Sequence, residues 1–225
     1  MSGQIERLRG LHVLADDAPH WKRDPVEQAR AACQGEAAVV QLRAKHATDR
    51  ETLAWAAAIR RLTRGCGALF IVNDRFDLAL AADADGVHLG QKDLPPARIP
   101  AAARRRLLVG RSTHTAEQVE MARSEPVDYI AFGPIFETPS KPSENPACGP
   151  RLLAAAVVAA APHPIVAIGG IDTGNAAEVI AAGAAGIAVI SAVANADDPV
   201  AATRALTRLL AHARSAGSHP LRTPA

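Results

Sequence analysis

The stretch "VVQLRAK", residues 39–45, sets Gln41, Arg43 and Lys45 at alternate positions. In an extended chain alternate side chains point to the same side. An amide, a guanidinium and an ammonium therefore project together from one strand end. Two cations so placed need an anion or an acidic partner. Other chemically able residues follow along the chain: Asn73 and Asp74; His88, Gln91 and Asp93; Ser112 and His114; then Thr138, Ser140 and Lys141. Arg43, Lys45 and Lys141 supply positive charge, and the two aspartates supply hard oxygen donors. Gln41 and Asn73 can fix geometry or read a heterocycle. Nearer the C-terminus, Gly169-Gly170 lets a backbone approach a ligand closely, and Ile190-Ser191 offers amides and a hydroxyl.

Taken singly, each has a plain structural explanation. Asn73-Asp74 reads as a turn and helix cap. Asp93 reads as a loop acid, His88 as a packed core histidine, Ser112 and Thr115 as caps, and Lys141 as an exposed loop cation. The glycine pair reads as a tight turn. What decides between these readings is where the secondary-structure elements place the residues.

Short apolar runs recur at residues 11–15, 37–42, 68–72, 86–89, 106–110, 128–132, 164–168 and 186–190. Between them lie longer segments with helix-start signals. Asp24-Pro25 is a cap followed by proline at the first helical position. "TDRE" (48–51) and "TAEQ" (115–118) have the capping-box form. Asp198-Pro199 opens a last helix with Ala202, Leu206, Leu209, Leu210 and Ala213 on one stripe. Strands alternating with helices imply a parallel sheet. Eight such units predict a closed (β/α)8, or TIM, barrel as a single α/β domain over residues 1–214. An open doubly wound sheet is the alternative, but no GxGxxG follows the first strand. Residues 215–225, "SAGSHPLRTPA", read as a disordered tail.

Composition narrows the function classes. With 48% hydrophobic and 21% charged residues, the chain suits a water-soluble globular protein. A net charge of +2 gives no reason to expect a nucleic-acid or membrane partner. The runs "RRLTR" and "ARRRL" read as solvated helix faces. Three widely spaced cysteines without a CxxC argue against a disulfide framework or a zinc site and fit a reducing cytoplasm.

In a (β/α)8 barrel the chemistry sits at the C-terminal strand ends, and the polar residues above all fall there. Asp74 and Asp93 stand after adjacent strands. Two carboxylates suit Mg²⁺, which keeps several waters and binds through one or two carboxylates plus phosphate oxygens. With the cations they describe a diphosphate site. The loops after strands seven and eight form the usual phosphate site of this barrel, so the rim holds a diphosphate–metal half and a monophosphate half.

The stretches "VVQLRAK", "IVNDRFDLALAADADGVHLGQKDLP", "VGRSTHT", "DYIAFGPIFETPSKP", "VAIGGI" and "GAAGIAVIS" resemble the thiamine-phosphate synthase family in content, order and spacing, over nearly the whole chain. The resemblance implies a TIM-barrel transferase that joins a pyrimidine diphosphate to a thiazole phosphate, releasing thiamine phosphate and diphosphate. Gln41, Leu42, Arg43, Ala44, Lys45, Asn73 and Lys141 would hold the pyrimidine diphosphate, with Ser112 also on the pyrimidine. Asp74 and Asp93 would ligate Mg²⁺. Thr138, Pro139, Ser140, Gly170, Ile190 and Ser191 would face the thiazole phosphate. Arg43, Lys45, Ser112 and Lys141 would serve catalysis. The family commonly has threonine where this chain has Ser140, and the hydroxyl is kept. Its partners would be small molecules, and a homo-oligomer is compatible with the sequence. Two rivals stand beside this reading. One is a thiazole tautomerase of similar fold, using His114 for proton transfer. The other is a non-catalytic sensor of thiamine intermediates. Neither needs Asp74 and Asp93 as a pair.

Overall fold

The computed structural model describes residues 2–138 and 146–217. Strands and helices alternate as the apolar runs predict. Helix α1 (Ser2–Arg7) precedes β1 (Gly10–Asp16); then follow α2 (Pro25–Gln34), β2 (Val39–Arg43), α3 (Asp49–Cys66), β3 (Leu69–Asn73), α4 (Phe76–Ala81) and β4 (Gly86–Leu89). The second half runs α5 (Ala101–Arg104), β5 (Leu108–Thr113), α6 (Ala116–Arg123), β6 (Tyr129–Phe132), α7 (Gly149–Ala160), β7 (Ile165–Ile168), α8 (Ala176–Ala181), β8 (Gly186–Val189), α9 (Ser191–Ala194) and α10 (Pro199–Gly217). The eight strands pair in sequence order, all parallel, and β8 returns to β1 with Gly10 beside Gly186. The chain is one closed (β/α)8 barrel.

Alternation divides the apolar residues into two cores. Inside the barrel lie Leu14, Val39, Leu69, Ile71, Leu108, Tyr129, Val166 and Ala188, with Leu8 from the α1–β1 connection. The intervening residues, such as Val13, Val40, Leu42, Phe70, Val87 and Ile130, face the helices in a larger outer core. The barrel interior also carries buried His12, Gln41 and His88. Each has a hydrogen-bond partner, as burial requires; His12 Nε2, for example, lies 2.7 Å from Leu8 O.

The helix starts are set by side chains. Asp24 with Glu27, and Thr48 with Glu51, form reciprocal capping boxes. The third expected box is only half made. Thr115 caps the Gln118 amide, but Gln118 Oε1 accepts from the backbone of His114 instead. Two boundaries also move. β5 continues through Arg111, Ser112 and Thr113, past the apolar run 106–110 that marked the strand. Helix α10 runs through Gly217, past Ser215, where the tail was expected to begin; residues 218–225 lie outside the described residues.

At the N-terminal strand ends, acids close the bottom of the barrel. Asp85 accepts from the Phe70 amide and pairs with Arg60. Asp128 accepts from the Val109 amide and pairs with Arg104. All three cysteines are free, and no helix among the described residues is long and apolar enough to cross a membrane.

Candidate active site

The C-terminal strand ends surround a cavity of about 530 Å³. Gln41, Arg43 and Lys45 all reach it, as their alternation on β2 requires. Their partners come from the flanking strands. Gln41 Nε2 donates to Asn73 Oδ1 on β3 at 2.7 Å. Arg43 pairs with Asp16 at the end of β1, whose side chain is fully buried, and Lys45 pairs with Asp74 after β3. Each cation therefore has an acid within reach, and Arg43, Lys45 and Asp74 open on the cavity while Asp16 does not. The same alternation turns Leu42 and Ala44 away from this cavity. Leu42 packs into the outer core, and both border a smaller space between β2, β3 and their helices. Any contact of these two with a ligand in the cavity is through backbone.

Asp74 is turned into the cavity by its backbone. Its φ of 67° is left-handed, a region that aspartate visits more readily than most residues. Its amide donates to His88 O at 2.7 Å. Asp93 is held from below, with Oδ2 accepting from the Gly90 amide at 2.6 Å. Arg111 fixes the same loop by donating to Gly90 O at 2.6 Å. The two carboxyls then face each other within hydrogen-bonding reach. Burial and the neighbouring Asp74 hold Asp93 above the usual carboxylate range. Burial also acts to raise Asp74, but hydrogen bonds from Asp93, Lys45 and Asn73 outweigh it and keep that group low. The fold has thus set two carboxyls so close that ionising both costs electrostatic energy, a cost that a divalent cation would offset. Hard oxygen donors from two adjacent strands fit Mg²⁺, and no larger cluster of acids, histidines and cysteines stands among the described residues to suggest another metal.

Ser112 lines the cavity next to His88; its Oγ lies 2.8 Å from His88 Nε2, and its carbonyl accepts from Gln91 Nε2. His114 also faces the cavity, with Nδ1 at 2.6 Å from Gly133 O. Across the opening, the wall carries no charge among the described residues. Thr138, Gly169, Gly170, Ile190 and Ser191 line it. Gly170 sits at φ 64° with its carbonyl held by Asn175 Nδ2. A Cβ there would come within 2.6 Å of Glu137 O, so backbone alone fits. Pro139, Ser140 and Lys141 lie outside the described residues. After the undescribed stretch, the Cys148 and Gly149 amides bond Pro134 O and Ile135 O.

Sequence reasoning passed over Asp16, Asp17, His12 and Tyr129. Asp16 carries a readable signal, for it continues the inward alternation of Leu14 toward the rim. Asp17 accepts from the amides of Lys45, His46 and Ala47, each at 2.8 Å, and shapes the loop that carries Lys45. Tyr129 has no such signal, because its partner lies two strands away.

Residues 11–193 match the family model described as thiamine monophosphate synthase. A thiamine-phosphate synthase of Methanoculleus marisnigri is 45% identical over 207 residues, covering 92% of this chain and 98% of the relative. One of Chlorobium phaeovibrioides is 48% identical, covering 88% of this chain and 92% of the relative. Among solved structures, a thiamine phosphate pyrophosphorylase of Pyrococcus furiosus superposes with a TM-score of 0.82 at 36% identity, over 93% of this chain and 98% of that one.

Proposed function

The chain belongs to the thiamine monophosphate synthase family, and from that premise we propose how its own residues carry the synthesis of thiamine phosphate. The substrates are an aminopyrimidine bearing a methyl diphosphate and a thiazole phosphate. The observation that carries this reading is the division of one cavity into a charged wall (Arg43, Lys45, Asp74, Asp93) and an uncharged backbone wall at Gly170 and Ser191.

Asp74 and Asp93 would hold Mg²⁺, which would supply positive charge favouring departure of diphosphate. Arg43 and Lys45 keep their acids and turn their remaining N–H donors to oxygens of the diphosphate, stabilising the negative charge that grows on it as the C–O bond breaks. Lys141 adds a further cation. Gln41, Asn73 and Ser112 hold the pyrimidine ring so that its exocyclic methyl cation faces across the cavity. The wall at Thr138, Gly170, Ile190 and Ser191 holds the thiazole phosphate with its ring nitrogen aimed at that carbon. Proximity then does much of the work. No protein nucleophile is needed, and diphosphate itself can take up a released proton.

The test is incubation of the purified protein with both substrates, with and without Mg²⁺. Mg²⁺-dependent appearance of thiamine phosphate and diphosphate together is the expected result. Isomerisation of the thiazole without diphosphate release would point to the tautomerase reading, and tight binding without turnover to the sensor. Either would overturn the proposal.

A further inference from the structure

Three polar side chains from three strands form a line inside the barrel. Tyr129 on β6 places its hydroxyl 2.9 Å from His88 Nδ1 on β4, and His88 Nε2 lies 2.8 Å from Ser112 Oγ on β5. Tyr129 must cross β5 to reach His88, and the residue between them is Gly110, in register with both. A Cβ on Gly110 would lie 2.1 Å from Tyr129 Cζ and 2.5 Å from His88 Nδ1. The glycine opens the space in which this bond is made. Tyr129 is 1% exposed and His88 7%.

The direction of the hydrogen bonds follows from donor counting. A phenol has one proton, and a neutral imidazole has one N–H and one lone pair. Among the described residues, His88 Nδ1 is the one acceptor the Tyr129 hydroxyl meets. Were Nδ1 protonated, the buried phenol proton would have nowhere to go, at the cost of an unsatisfied donor. Tyr129 therefore donates to Nδ1, and the His88 proton sits on Nε2 and is donated to Ser112. Burial and the charge of Asp128 hold the Tyr129 hydroxyl well above its ordinary pKa, so it remains a donor. Ser112, already accepting from His88, turns its own proton into the cavity. Gln41, whose Nε2 is engaged by Asn73, presents Oε1.

We propose that Tyr129 is a positioning residue for substrate choice: by fixing the His88 tautomer it makes Ser112 a hydrogen-bond donor, and the cavity reads a 4-aminopyrimidine in preference to its 4-oxo counterpart. An aminopyrimidine offers an unprotonated ring nitrogen to the Ser112 donor and an amine to the Gln41 acceptor. The 4-oxo form reverses both, with a ring N–H and a carbonyl. This inference rests on the reaction proposed above.

Two measurements test it. In the parent protein labelled with ¹⁵N-histidine, His88 is expected as the neutral Nε2–H tautomer; a Nδ1–H or doubly protonated ring overturns the relay, whether or not any variant folds. In kinetics, the parent favours the amino over the 4-oxo pyrimidine diphosphate. Tyr129→Phe is expected to cut that preference about tenfold, the scale of one buried hydrogen-bond mismatch, with the KM for thiazole phosphate unchanged. In a Ser112→Ala background the same change should have no further effect on selectivity. Undiminished preference in Tyr129→Phe, or an equal loss without Ser112, overturns the proposal. Should the parent form no thiamine phosphate, the reaction reading fails, while the labelled-histidine spectrum still decides the relay.

Discussion

The two ends of the barrel use the same residue for opposite purposes. At the bottom, Asp85 and Asp128 each accept from a strand amide and pair with an arginine from a neighbouring helix or its flank. Their charges are answered on every side, and nothing is left for a ligand. At the top, Asp74 and Asp93 face each other, and the cations near them come from strand tips that open on the cavity. An acid ringed by donors stabilises the native state; Asp93, set against an Asp74 that Lys45 already holds, is the acid whose ionisation the fold resists and a further cation would favour. The distinction lies in the neighbours.

The largest expected effect separates the two ends directly. Asp74→Asn or Asp93→Asn should lower turnover by about 10²–10³-fold, the scale of removing one preorganised electrostatic group. The melting temperature of Asp93→Asn should hold or rise, because the fold disfavours that charge, whereas Asp74→Asn should lose a little stability with its Lys45 pair. Steady-state rates across a Mg²⁺ titration, beside a thermal melt, check both halves of the statement. An Asp93 variant that loses stability in proportion to its activity would place that residue with the bottom acids.

The converse change comes next. Asp85→Asn leaves Arg60 half-buried without its partner and weakens the cap on the Phe70 amide. Breaking such a pair is expected to cost roughly 2–3 kcal/mol, less than a fully buried pair because both side chains keep some exposure. For a chain of this size that is about 4–12 °C in melting temperature. Turnover of the folded fraction at 25 °C should stay within about twofold of the parent, as expected for a change at the stability face of this barrel. Calorimetry and an assay on the same sample decide it.

This asymmetry explains what could be read before the fold was known. The barrel was legible because burial on both sides of each strand forces continuous apolar runs, and eight of them alternate with capped helices. The charged wall was partly legible, because Gln41, Arg43 and Lys45 keep a period of two among apolar neighbours. Leu42 and Ala44 were swept in with them, although the same period sends them outward. The acids that answer Arg43 and Lys45 were not paired with them in advance; Asp16 and Asp74 come from strands on either side, and pairing is a property of the closed sheet. Tyr129 reads as one more apolar-strand residue in "DYIAF". Only the register that brings Gly110 between Tyr129 and His88 shows that its hydroxyl matters. The bottom acids are invisible for the same reason, since "ADADG" does not say that Asp85 rather than Asp83 accepts from the Phe70 amide.

A smaller change probes the uncharged wall. Gly170→Ala must place a side chain at φ 64°, with its Cβ 2.6 Å from Glu137 O and 2.8 Å from Phe136 Cβ. Strain of about 1–2 kcal/mol should appear chiefly as an about tenfold higher KM for thiazole phosphate, with the KM for the pyrimidine diphosphate unchanged. If both constants rise equally, the division of the cavity into two walls is wrong.

Asp17 gives the smallest effect and the sharpest check, because it lies at the top yet is ringed by donors like a bottom acid. Burial acts to raise its pKa, but the amides of Lys45, His46 and Ala47, with the charge of His46, hold it below the ordinary 3.8. A group depressed in the folded state adds stability that is full above its ordinary pKa and is lost as pH falls through the folded value. Asp17→Asn should therefore lower the melting temperature by about 2–4 °C at pH 7, the scale of one charge-assisted hydrogen-bond set at a partly exposed site. That difference should shrink between about pH 5 and pH 3 as the parent loses the same charge. The variant should also raise the KM for the pyrimidine diphosphate slightly, because the loop bearing Lys45 is less firmly held. A melting difference that stays constant with pH would mean that the Asp17 carboxylate charge does not hold that loop, and that position on the barrel rather than the ring of donors decides what an acid does.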